Sequence, residues 1–198
     1  MRARDRTRGY RPLMASQERD EHRDEHRVRH IVVMGVSGVG KTTVAKGIST
    51  LTGWTFAEGD AFHPEANVAK MREGRPLTDE DRWPWLRALG AWMSAEIAEG
   101  RSAVVTCSAL RRSYRDLLRE GRPEVEFCHL DAGADLVGDR LSHRAGHFMP
   151  PSLLPSQYAA LEPLEPDEPG VTVSVEGGVP DVVARVTAAL HLPDRRTE

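Results

Sequence analysis

Gly35, Gly40, Lys41 and Thr42 fall in the spacing G-x-x-x-x-G-K-[ST] within the stretch GVSGVGKTT. Three residue types there serve one task. Glycines let backbone N–H groups curl around an anion with no Cβ in the way. A lysine at that place reaches the outer phosphates of a nucleotide, and a threonine hydroxyl can ligate Mg2+. The apolar run before the loop reads as a strand and the amphipathic run after it as a helix. The helix N-terminus then aims free N–H groups and its positive dipole end at the same anion. Gly35, Val36, Ser37, Gly38, Val39, Gly40, Lys41, Thr42 and Thr43 are thus expected to cradle a nucleotide's phosphates. Lys41 is also a candidate catalytic cation, and Thr42 the candidate metal ligand. A plain glycine-rich strand–helix turn shares the outline, but the flanking strand and helix argue against it.

Other candidates stand where further strands end. Asp60 follows the second predicted strand, with His63 close behind. A carboxylate there can orient a substrate hydroxyl and take its proton as it attacks the γ-phosphorus. The bland alternative is an aspartate that caps the next turn. Asp131 ends an apolar run, as a Walker-B-type aspartate or as an ordinary loop residue. Arg140, Arg144 and His147 lie in RLSHRAGHFMP, cationic and closed by proline. Arginine forks stabilise the charge that spreads over a transferred phosphoryl group, and a closing lid excludes water. A solvated basic helix end is the alternative. Arg111, Arg112 and Arg115 read either as an anion-recognising group or as an exposed helix face.

The elements that position these residues alternate. Strands are predicted at Ile31 to Met34, Trp54 to Ala57, Ala103 to Cys107, Val125 to Leu130 and Val171 to Val175. Helices are predicted at Thr43 to Leu51, Pro64 to Arg72, Thr78 to about Glu99, Ser113 to Arg119, Ala134 to Ser142, Ser152 to Leu161 and Pro180 to Leu190. Thr78-Asp-Glu-Asp81 opens the third helix as a capping box with Asp in the Glu position, and Pro84 is tolerated in its first turns. Alternating strands and helices give an α/β fold, a doubly wound parallel five-stranded sheet flanked by helices. Such sheets bind ligands beyond the carboxyl ends of their strands.

The 198 residues allow one domain, here 29–192, between a charged leader at 1–28 and a tail at 193–198. The leader is too polar to order itself, and Met14 is an alternative start. His22, His26 and His30 share helical spacing, better explained as a solvated tail than as a metal site. A net charge of −3 gives no general field for nucleic acid. No apolar run reaches the length of a membrane span. Cys107 and Cys128 sit in apolar runs and read as reduced core thiols of a cytoplasmic protein.

Five stretches together resemble the gluconokinase family, relatives of the shikimate and nucleoside monophosphate kinases. They are GVSGVGKTT; EGDAFHPEANVAKMREGRPLTDEDRWPWL from Glu58; CSALRRSYRDLLR from Cys107; LD at Leu130; and RAGHFMPPSLLPSQYAALEPL from Arg144. The resemblance runs from Ile31 to about Leu164. It implies phosphorylation of D-gluconate by ATP with Mg2+ at the terminal hydroxyl, a mobile lid at about 140–150, and the frequent occurrence of dimers. It implies that Asp60 is the base or the hydroxyl-orienting group, that His63, Lys70, Ser108, Arg111 and His147 lie near the sugar acid, and that Arg140 and Arg144 face the nucleotide. The chain departs from the family at Arg111, where lysine is common, and at His143, where a lid arginine is often found.

Three rivals remain at this point. One is a kinase of another small acceptor, shikimate-like or a nucleoside monophosphate. The second is a GTPase switch, which needs N-K-x-D; that motif is absent, and the D-x-x-G matches at Asp135 and Asp167 fall in a predicted helix and a proline-rich loop. The third is a nucleotide-binding regulator without catalysis.

Overall fold

The computed structural model describes residues 27–142 and 153–195, with the backbone alone at 141–142. Five parallel strands form one sheet in the order β2-β3-β1-β4-β5. They are β1 (His30–Met34), β2 (Thr55–Glu58), β3 (Ala103–Thr106), β4 (Val125–Asp131) and β5 (Gly170–Ser174). The helices are α1 (Lys41–Thr52), α2 (Glu65–Arg72), α3 (Asp79–Ala98), α4 (Arg112–Arg119), α5 (Ala134–Ser142), α6 (Leu154–Ala160) and α7 (Val179–Ala189). This is the predicted architecture, with element ends shifted by a residue or two.

β1 is central, and all five of its residues are buried. A strand covered on both faces reads as a continuous apolar run, which is why HIVVM shows no alternation. Its side chains nevertheless alternate between two cores, as the pleat requires. Ile31 and Val33 pack with Ala45 and Ile48 of α1 and Val183 and Val186 of α7. Val32 and Met34 face Leu86, Leu89 and Met93 of α3 and Leu118 of α4. Both cores hold the loops at the carboxyl ends of β1, β2 and β3 in place.

The capping box forms. The Asp81 N–H donates to Thr78 Oγ1 at 3.4 Å, and the Thr78 N–H donates to Asp81 Oδ2 at 2.9 Å. α3 continues through Pro84. Cys107 and Cys128 are buried free thiols in opposite cores, and burial pushes both up to about 12. Among the described residues no helix is long and apolar enough to cross a membrane.

His30 departs from the expectation. It is the first residue of β1, fully buried, with Nε2 3.0 Å from the Arg101 carbonyl oxygen. Helical spacing to His26 was coincidental, because the period changes where the strand begins. His22 and His26 lie outside the described residues.

Candidate active site

The phosphate loop joins β1 to α1. Gly35 and Gly40 adopt φ of 134° and 108°, which a side chain would strain, so glycine is required by conformation at both ends of the loop. Gly40 caps α1 with no side-chain hydrogen bond. The first-turn N–H groups of a helix have no acceptor within it, so this end presents donors to a ligand. Lys41 Nζ donates to the carbonyl oxygens of Gly35 and Val36 at 3.1 and 3.0 Å, which holds the ammonium over the loop. Thr42 Oγ1 donates to Glu58 Oε2 at 2.7 Å. Glu58 is the last residue of β2 and also accepts from Thr106 Oγ1.

Two clefts adjoin at this loop. The first is lined by loop residues from Ser37 to Thr43 together with Glu58 and Asp60. The second is lined by His63, Arg82, Trp85, Ser108, Ser156 and Gln157, with aliphatic side chains between them. Ser37, Lys41 and Asp60 belong to both. A cation and a carboxylate thus stand on the common wall of a cleft at the phosphate loop and a second cleft of mixed polar and apolar lining.

The backbone explains how Asp60 arrives there. Gly59 opens a single 3-10 turn, Gly59–Phe62, wedged against the end of β3. Its N–H donates to Thr106 Oγ1 at 3.0 Å and its carbonyl accepts from Trp85 Nε1 at 2.7 Å. A Cβ on Gly59 would come within 1.9 Å of the Thr106 carbonyl oxygen, so only glycine allows this approach. Ser108 is presented by the loop after β3, in which Ala109, a buried alanine, takes φ of 43°. Non-glycine residues in that region are uncommon and cluster at functional sites.

His63 lies flat on Trp85, with ring centroids 4.0 Å apart. Its side chain is 4% exposed, and Nε2 is 4.0 Å from Asp60 Oδ1. Burial, aided by the positive charge of Arg82, lowers His63 to about 4. The ring is therefore a neutral imidazole near neutral pH.

Of the expected site residues, Ser37, Lys41, Asp60, His63 and Ser108 converge. Lys70 and Arg111 do not line either cleft. Lys70 Nζ donates to Asp81 Oδ1 at 2.5 Å, and Arg111 Nη1 donates to Asp79 Oδ2 at 2.9 Å. Both grip the first turn of α3, which carries Arg82 to the second cleft. Arg140 stands beside the loop, donating to the carbonyl oxygens of Val39 and Val175 at 3.2 Å each. His143, Arg144 and His147 lie outside the described residues. Asp131 is exposed at the end of β4 and lines neither cleft; the carboxylate beside the Thr42 hydroxyl is that of Glu58.

The arginine group after β3 is neither an exposed face nor an open anion site. Arg115 is buried and paired with Glu168 at 2.5 Å, while Arg112 meets Asp116, Glu165 and Asp167. Carboxylates of residues 162–168, distant in sequence, satisfy these cations.

Sequence reasoning missed Glu58, Arg82, Trp85 and Gln157. Glu58 was findable, since it ends a parallel strand beside the loop. The others depend on contacts that no local pattern encodes. Gln157 of α6 is the clearest case: its Oε1 accepts from the Ser37 N–H at 2.6 Å, across 120 residues of sequence.

No family model matches the chain. It is similar to the gluconokinase of Gluconobacter oxydans (strain 621H), 56% identical over 155 residues that cover 78% of this chain and 86% of that protein. An unliganded sugar kinase from Janibacter sp. HTCC2649 superposes with a TM-score of 0.81 at 54% identity, covering 84% of this chain and 96% of that one. A gluconokinase from Sinorhizobium meliloti 1021 gives 0.75 at 45% identity, with 83% and 94% covered. By identity and by coverage of both lengths, the chain belongs to the gluconokinase family.

Proposed function

We infer that the protein phosphorylates D-gluconate, transferring the γ-phosphoryl group of ATP in line to the terminal hydroxyl and releasing ADP and 6-phospho-D-gluconate. The observation that carries this is the common wall of the two clefts, where Lys41 and Asp60 face both. One cleft suits a nucleotide's phosphates; the other suits a small polyhydroxylated anion.

The loop N–H groups and Lys41 hold the β- and γ-phosphates and stabilise charge on the transferred oxygens. Asp60 orients the acceptor hydroxyl and takes its proton as the oxygen attacks. Arg82 and Ser108, both on the wall of the acceptor cleft, engage the gluconate carboxylate and hydroxyls. His63, neutral, donates a hydrogen bond there. Lys70 and Arg111 serve the acceptor side by fixing the α3 turn that carries Arg82.

Two oxygen donors suited to Mg2+ stand side by side, the Thr42 hydroxyl and the Glu58 carboxylate. These residues would hold the ion, which when bound neutralises charge on the β- and γ-phosphate oxygens. Arg144 is assigned to the charge on the transferred phosphoryl group and His147 to the sugar acid, while Arg140 stands beside the phosphate loop. Arg144→Ala is expected to lower kcat more than it weakens ATP binding. The proposal extends to a homodimer in the cytoplasm, which sedimentation equilibrium and cell fractionation test.

The experiment is ADP release with D-gluconate, shikimate and nucleoside monophosphates offered singly. Gluconate is expected to give the highest kcat/KM. No release with gluconate, or a higher kcat/KM with another acceptor, overturns the assignment.

A further inference from the structure

Asn67 of α2 is 4% exposed, does not line the acceptor cleft and stands against His63, which does. Its Nδ2 donates to the backbone carbonyl of Asp81 at 2.8 Å and stands 3.4 Å from His63 Nδ1. A backbone carbonyl can only accept, so the amide atom turned to both partners is the NH2 and not the oxygen. The His63 nitrogen facing it is then the acceptor, and the ring proton sits on Nε2. Stacking on Trp85 sets the plane of the ring, and Trp85 is itself tied to Gly59. The Nε2 edge faces Asp60 Oδ1 at 4.0 Å, with Arg82 on the same wall.

We propose that Asn67 is a positioning residue that holds His63 as its Nε2–H tautomer, so that the acceptor hydroxyl's own proton is turned to Asp60. A separation of 4.0 Å is too long for a hydrogen bond between ring and carboxylate. A hydroxyl oxygen placed against both accepts from Nε2–H and donates to Asp60. During transfer the hydroxyl proton passes to Asp60, the oxygen's electron pair forms the bond to phosphorus, and the ring keeps its proton. In the other tautomer Nε2 would be a lone pair competing with Asp60 for that proton. The inference rests on the second cleft being the acceptor site.

Long-range 15N–1H spectra of the full chain, labelled at histidine and taken without gluconate, test it. The His63 signals are those lost in His63→Gln. The wild type is expected to show the neutral Nε2–H pattern at neutral pH. Asn67→Asp should move it to a ring protonated at Nδ1, and Asn67→Ala to a mixture of tautomers. In both, kcat with gluconate should fall about 10- to 100-fold with the KM for ATP nearly unchanged. A wild-type ring protonated at Nδ1 overturns the proposal without any variant having to fold. So does a folded Asn67→Ala protein that loses kcat while His63 keeps the Nε2–H form, or one that changes tautomer with kcat intact. Failure of gluconate as a substrate would instead strike the cleft assignment and leave the tautomer result standing.

Discussion

The phosphate cleft and the acceptor cleft share a wall but are built from different material. The first is drawn mainly from one stretch, Ser37 to Thr43, and works through backbone N–H groups and one lysine. The second gathers side chains from the turn after β2, from α3, from the loop after β3 and from α6. Backbone donors need only a loop shape, so glycines at fixed spacing specify them. Converging side chains need a whole fold, so their spacing in sequence carries little. The contrast teaches that nucleotide chemistry here is a local property of the chain, whereas acceptor chemistry is a property of its topology.

The strongest test of the contrast is at the shared wall. Asp60→Asn is expected to lower kcat by about 10²–10⁴-fold, the usual contribution of a general base, with ATP binding retained. Steady-state kinetics and nucleotide titration measure the two effects separately. A loss under about tenfold would remove Asp60 from the role of base.

Next is Arg82→Ala, which removes a charged donor from the acceptor cleft alone. It is expected to raise the KM for gluconate about 10- to 100-fold while leaving the KM for ATP within about twofold. Lys70→Ala and Arg111→Ala should do less, about threefold, since each acts on Asp81 or Asp79 and not on the cleft. Equal effects from all three would mean that Lys70 and Arg111 swing in to touch the substrate.

These residues also show where legibility stopped. The order and type of nearly all the elements, the P-loop and Asp60 follow from periodicity, capping and the strand-end rule. His30 was misleading because a histidine with a carbonyl partner, Arg101, can sit in a central strand. Arg115 read either as an anion binder or as part of an exposed helix face, because its partner, Glu168, lies 53 residues away. Gln157 was invisible because its partner is a backbone N–H, which every residue of the loop carries, so no side-chain type marks the pair. In each case a long-range contact decided the role of a residue whose neighbours in sequence were uninformative.

A third effect is on stability. Burial keeps His63 neutral in the fold, with its value lowered from 6.5 to about 4. The unfolded chain therefore binds more protons between those values, and stability must fall as pH drops through that window. The contribution is complete above about pH 6.5 and gone near pH 4. His30 and His129, also lowered by burial, act with the same sign. Urea denaturation at a series of pH values is expected to show a positive slope, reduced in His63→Gln by up to about 1.4 kcal/mol per pH unit. The smallest effect belongs to the cap of α3. Thr78→Ala should cost about 1 kcal/mol in the same assay and leave the KM for ATP unchanged.

The central claim is that the two clefts form one transfer site. The most direct measurement is a 31P NMR time course of the full chain with ATP, Mg2+ and D-gluconate. The expected result is loss of the γ-phosphate signal with growth of a phosphomonoester coupled to two protons three bonds away, the mark of an ester at the terminal CH2 of gluconate. Growth of inorganic phosphate alone, or of an ester split by a single proton, would contradict it.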